Sequence, residues 1–161
     1  MTFSFGIRST SNMAGLHPDL VNVVNRALAL TEQDFGIAGK AVRTADEQHK
    51  LFLAGASQAD GYKRRSNHQC HGDGFGHAVD LTPFINGRFD VNNEEAQYPI
   101  AVAMSLASSD LGIPITWGGN WIDQLTGATV ADMKALVARY RKLHPGPDFI
   151  DLPHFQLRRL K

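Results

Sequence analysis

Three short segments concentrate side chains that bind metals. They are Ser66-Asn67-His68, followed closely by Cys70 and His71; Gly76-His77-Ala78-Val79-Asp80; and Asp151-Leu152-Pro153-His154-Phe155-Gln156. If the second and third are strands, alternation puts Ala78 and Asp80 on one face, with Val79 and Leu81 on the other. His154 and Gln156 then share a face, and Phe155 and Leu157 point the opposite way. Each strand offers one polar ligand backed by apolar anchors. Two imidazoles and one carboxylate suit zinc and leave a fourth position for water. Asp151, three residues before His154, falls near that water. The chain has no His-Glu-x-x-His and no Cys-x-x-Cys, so spacing alone leaves open a surface that merely carries histidines and turn aspartates.

Several elements must position these residues. Pro18 can open a helix, and apolar residues recur at helical spacing through Leu30. Phe35 to Val42 reads as a strand. Thr44-Ala45-Asp46-Glu47 has the capping-box pattern, predicting a helix from Thr44 to near Gly55. Residues 55–76 read as loop. Ala78 to Leu81 is a short strand, and Asn86-Gly87 can close a hairpin to Phe89. Asn92 or Asn93 caps a helix to about Ser109, with Pro99 as its true start or a kink. Ile113 to Trp117 is a strand. Thr129 caps a last helix that Pro145-Gly146-Pro147 ends, and His154 to Leu157 is the closing strand. Helices and strands mix without a βαβ rhythm, which favours an α+β fold.

The remaining histidines have structural readings. His77 is out of phase with Asp80, predicting a supporting role. His17 precedes a helix and reads as a cap or surface residue. His49 lies in a helix and His144 near a helix end. Cys70 reads as a free loop thiol.

The 161 residues, 43% hydrophobic and 20% charged, predict one domain (1–161) with no room for a separate binding module of ordinary size. A disulfide framework is excluded because Cys70 is the sole cysteine. Sixteen basic residues balance sixteen acidic ones, which argues against nucleic acid as a partner. From Ala131 to Lys161, however, seven basic residues face three acidic ones. No apolar run approaches the roughly 20 residues of a membrane span. Met1 to Gly6 lacks signal-peptide character, so synthesis in a cytoplasm is expected, with exit by another route.

The three segments resemble the VanY-like zinc peptidases, which include phage L-alanyl-D-glutamate endopeptidases and bacterial D-Ala-D-Ala carboxypeptidases. The family pattern is Ser-x-His, Gly-x-Ala-x-Asp and, later, Asp-x-x-His. Phe3-Ser4-Phe5-Gly6, His17-Pro18-Asp19-Leu20, Arg43-Thr44 with Glu47-Gln48, and Trp117-Gly118-Gly119-Asn120-Trp121 are similar to the phage endolysin branch, so the likeness covers nearly the whole chain. It implies a Hedgehog/D-Ala-D-Ala-peptidase-like fold, a small antiparallel sheet flanked by about four helices. It implies one Zn2+ held by His68, Asp80 and His154, with Asp151 as general base and Arg43 stabilising developing negative charge. Ser66, Gln48 and Trp117 are assigned to substrate. A solvated helix face is the alternative for Gln48, and a core position for Trp117; the adjacent Gly-Gly would let backbone approach a bound chain. Eleven residues separate His68 from Asp80, more than the family's usual spacing, and the surplus falls in residues 70–75. His71 therefore stays open as the first ligand. The implied activity is hydrolysis of the L-Ala–D-Glu bond of the peptidoglycan stem peptide by a monomer that a holin-type lesion releases to the periplasm. A D-Ala-D-Ala carboxypeptidase and a non-catalytic zinc or wall-binding module are the alternatives.

Overall fold

A computed structural model describes residues 2–121, 124–147 and 149–158. Among them the chain forms five helices and six strands: α1 (Ile7–Asn12), α2 (Pro18–Leu30), β1 (Phe35–Gly36), α3 (Ala45–Leu53), β2 (Ala78–Asp80), β3 (Thr82–Ile85), β4 (Arg88–Phe89), α4 (Glu94–Leu111), β5 (Ile115–Trp117), α5 (Val130–Leu143) and β6 (His154–Leu157). The strands make two three-stranded antiparallel sheets, ordered β1-β3-β4 and β2-β6-β5.

Local chemistry sets most boundaries. The His17 ring caps α2 by accepting from the Asp19 N–H, with Pro18 in the first turn. Thr44 and Glu47 form a reciprocal capping box on α3, and Thr129 and Asp132 do the same on α5. Asn93 caps α4, and Pro99 lies inside that helix rather than at its start. Asn86-Gly87 closes the β3–β4 hairpin, in which Ile85 pairs with Arg88.

Two expectations are corrected. α1 is an additional helix: six mostly polar residues without an apolar stripe. The strand expected over Phe35 to Val42 ends at Gly36. Beyond it the backbone pairs with α1 instead of a sheet. Ile37 N–H donates to Ser9 Oγ (3.1 Å), Asn12 Nδ2 donates to the Ile37 carbonyl (2.8 Å), and Ala41 N–H donates to the Asn12 carbonyl (2.9 Å). A short polar helix has thus replaced a sheet edge as hydrogen-bond partner.

The core joins the buried stripe of α2 (Leu20, Val23, Val24, Ala27) to the small-residue face of α4 (Ala101, Ala103, Met104, Ala107). The second sheet closes over it. Val79, Phe155 and Trp117 form one cross-strand row and are fully buried. The same register pairs Asp80 directly with His154 and Ala78 with Gln156. Because side chains alternate, burying that apolar row turns Asp80 and His154 together to the opposite face.

Candidate metal centre

His68 joins Asp80 and His154 from the loop before β2. Its Nε2 lies 3.2 Å from His154 Nδ1 and 3.3 Å from Asp80 Oδ1. His154 Nδ1 is also 3.3 Å from Asp80 Oδ1. The three atoms form a nearly equilateral triangle. Ligands about 2.0–2.1 Å from one tetrahedral ion are separated by about 3.3 Å.

The outward-facing atoms have protein partners. His68 Nδ1 lies 2.9 Å from the Ala41 carbonyl, which can only accept, so that nitrogen carries the proton. His154 Nε2 donates to Gln156 Oε1 (2.9 Å), an oxygen that Asn67 Nδ2 also holds (2.8 Å). Asp80 Oδ2 accepts from Arg43 Nη2 (2.8 Å). These bonds fix both tautomers and leave the lone pairs of His68 Nε2 and His154 Nδ1 turned inward. Asp80 Oδ1 is buried without a hydrogen bond. Three acceptor atoms turned on one another in a buried site call for a proton or a cation between them. The donor set and its orphaned oxygen fit a zinc-type ion.

Burial works to raise the Asp80 carboxyl, but the neighbouring His68 and His154 outweigh it and hold it well below the usual range. Burial works to lower His154, and Asp80 overcomes it, so this imidazole is raised. Asp151 is raised, first by burial and then by the negative Asp80; His154, His68 and Arg43 oppose the rise.

Asp151 and His154 lie on one tight turn, with His154 N–H donating to the Asp151 carbonyl (3.1 Å). Gly118 bridges the turn: its N–H donates to the His154 carbonyl (2.9 Å), and its own carbonyl accepts from Asp151 N–H (3.0 Å). A Cβ at 118 would stand 2.1 Å from the Asp151 carbonyl oxygen, so only glycine fits. The close approach expected of this Gly-Gly pair is therefore to the site's own backbone.

A groove of about 560 Å³ opens over the triad, lined by Arg43, Ser66, Asn67, Trp121, Asp151 and Gln156 among others. Ser66 lies in its wall, and its Oγ accepts from His68 N–H (3.2 Å). Two assignments to substrate contact are corrected. Trp117 is fully buried, donating to the Leu152 carbonyl (2.8 Å) and stacked on Phe155; Trp121 is the tryptophan at the groove, its ring tilted over His154 at 4.9 Å. Gln48 is also fully buried. It accepts from Arg43 Nη1 (3.3 Å) and donates to Ser57 Oγ (2.8 Å) and the Ala59 carbonyl (3.0 Å). It positions Arg43 and the loop after α3. Arg43 is bound to Asp80 and Gln48, and its backbone N–H donates to the His68 carbonyl (2.8 Å). His71 lies outside the triad, its ring packed on His77 at 4.1 Å. Gln156, Asn67 and Trp121 were not singled out as site residues from sequence. The signal for Gln156 was its shared face with His154.

Fold and donor set define a class, an α+β protein with a buried His/Asp group able to hold a metal ion. Comparison with known proteins narrows it. The family model described as phage L-alanyl-D-glutamate peptidase matches residues 1–137. The L-alanyl-D-glutamate peptidase of Escherichia phage T5 is 33% identical over 121 residues, 75% of this chain and 83% of that protein. The crystal structure of the Serratia marcescens L-Ala D-Glu endopeptidase ChiX superposes with a TM-score of 0.68 at 29% identity, covering 98% of this chain and 91% of that one. The chain belongs to the phage L-alanyl-D-glutamate peptidase family.

Proposed function

We propose that this protein is a zinc-dependent peptidoglycan endopeptidase that hydrolyses the L-Ala–D-Glu bond of the stem peptide. The observation that carries the metal is the triad's polarity. Its outward atoms are bound by the protein, while His68 Nε2, His154 Nδ1 and Asp80 Oδ1 face only one another. The names of the relatives supply the bond.

When bound, zinc polarises a carbonyl and acidifies water. Asp151, raised by burial, is the carboxylate suited to take the attacking water's proton and return it to the leaving amine. Arg43 neutralises Asp80 from behind and also reaches the groove wall, where it can meet developing negative charge. Gln156 holds the His154 ring so that Nδ1 stays free. Ser66, Asn67 and Trp121 shape the groove that receives the peptide.

Among the described residues, no helix is long and apolar enough to cross a membrane. We infer action on periplasmic wall after a holin-type lesion, by a monomer. The test is mass spectrometry of Gram-negative peptidoglycan after digestion, with and without a zinc chelator. Chelator-sensitive peptides with a new N-terminal D-Glu are expected. Release of D-Ala alone would assign a carboxypeptidase instead. Bound zinc with no cleavage would leave a binding module.

A further inference from the structure

The residues that lengthen the stretch between His68 and Asp80 complete a second ligand cluster by supplying Asp73. His17, Asp73 and His77 bring one ligand atom each within 4.8 Å of one another. None of the three belongs to the catalytic centre.

Two of them are fixed by backbone. His17 N–H donates to the Gly76 carbonyl (2.9 Å), and Gly76 N–H donates to the Gly15 carbonyl (2.9 Å). His77 N–H donates to the Asn67 carbonyl (2.8 Å), and its own carbonyl accepts from Leu157 N–H (2.9 Å). Gly76 makes the approach possible: a Cβ there would lie 2.7 Å from Val42 Cγ2. The third ligand comes from the added loop. His71 N–H donates to the Phe75 carbonyl (2.9 Å), closing a turn. Asp73 Oδ1 accepts from Phe75 N–H (3.1 Å), which directs Oδ2 toward the histidines. That oxygen is 2.7 Å from His77 Nε2 and 3.9 Å from His17 Nε2. The carboxyl is held below its ordinary range, first by the Phe75 N–H and, against burial, by the neighbouring His77 and His17.

The His77–Asp73 contact is complete as a hydrogen bond. His17, which caps α2 and packs edge-on against Phe75 and His77, stands outside that bond, because 3.9 Å is too long for a hydrogen bond. An ion among the three would use all of them. Asp73 is exposed on its loop and can close the gap by rotation. In the tautomer that frees Nε2 for an ion, His17 has an acceptor near its other nitrogen. Its Nδ1 now caps α2, but Asp19 Oδ2 lies 3.8 Å from that nitrogen and can take a proton from it. Closed to hydrogen-bond distance, Asp19 would give the carboxylate–histidine support common behind metal-bound imidazoles.

We propose that His17, Asp73 and His77 form a second, structural site for a zinc-class divalent cation, which fastens the 70–75 loop to the start of α2 and the entry to β2. Two imidazoles and a carboxylate select borderline-soft ions of the zinc type over calcium or magnesium.

The test is a metal count by mass spectrometry after dialysing the metal-free protein against buffered micromolar Zn2+. Two ions per chain are expected for the wild type. Asp73→Ala and His77→Gln should each bind the second ion at least tenfold more weakly, with unchanged circular dichroism. His68→Ala should keep one ion and His68→Ala/Asp73→Ala none. In His68→Ala, Zn2+ should also slow amide exchange over residues 71–75. One ion in the wild type, unaffected by Asp73→Ala, would overturn the proposal. If His68→Ala does not fold, the count on Asp73→Ala and His77→Gln decides alone. Loss of an ion on Asp73→Ala but none on a folded His68→Ala would support this site and overturn the catalytic one.

Discussion

At the scale of single residues, the site separates groups that bind from groups that orient. Asp151→Asn should keep the zinc and lower turnover by roughly 10²–10⁴, the usual worth of general acid–base help. Zinc analysis of that variant checks the role, since loss of metal would make Asp151 a ligand. His68→Ala should lose the catalytic ion and all cleavage, and His71→Ala should keep both. Gln156→Leu leaves His154 Nε2 without its acceptor. Zinc affinity should fall roughly 10–100-fold, as for other partners behind a metal-bound histidine, measurable by competition with a chelator. Strand alternation made the matching faces of Asp80 and His154 legible, whereas His68, in a loop without periodicity, and the role of Asp151 rested on the family resemblance. The two tryptophans were not separable that way. Trp117 sits in strand register beside Phe155 and so enters the core, while Trp121 follows the Gly-Gly turn out to the groove. Gln48 misled for a similar reason. A polar helical residue reads as solvated, yet this one is buried with three hydrogen-bond partners.

At the scale of elements, chain-local chemistry was readable and long-range pairing was not. Caps at Thr44, Asn93 and Thr129 mark their helices as expected. α1 has no such periodic signature, and the truncation of β1 depends on side chains of α1 that only the fold brings near. The α5 capping box makes a pH-dependent prediction. The Asp132 carboxylate accepts from the N–H groups of Ala128 and Thr129, and these bonds lower it below its ordinary 3.8. A lowered folded-state value means the contribution is complete above the unfolded value. It is lost as pH falls through the folded one. The stability difference between wild type and Asp132→Asn should thus be constant near neutrality and shrink below about pH 4. Urea melts across that range read it directly. Thr129→Ala, which removes the other half of the box, should cost about 1 kcal/mol at neutral pH.

At the scale of the molecule, the triad ties together segments 86 residues apart, from the loop at His68 to the last strand at His154. The unfolded chain does not hold these atoms on a common triangle, so an ion that needs all three binds the folded state. Its effect on stability follows from mass action: free zinc at 1,000 times its dissociation constant adds about 4 kcal/mol. For a chain of this size each kcal/mol moves the melting temperature by about 2–4 °C. A chelator should therefore lower the Tm by about 8–16 °C relative to zinc-saturated protein. The same arithmetic ranks the variants. His154→Ala should lose most of the shift and Asp151→Asn none of it. Gln156→Leu should lose about 1.4–2.7 kcal/mol of it, the equivalent of a 10–100-fold weaker site. Asp73→Ala should keep the part that the triad supplies. Scanning calorimetry with metal content measured on each sample tests the set. A melting temperature that does not move while zinc leaves the triad would mean that the fold holds His68, Asp80 and His154 together by its own packing, and that the ion contributes to chemistry alone.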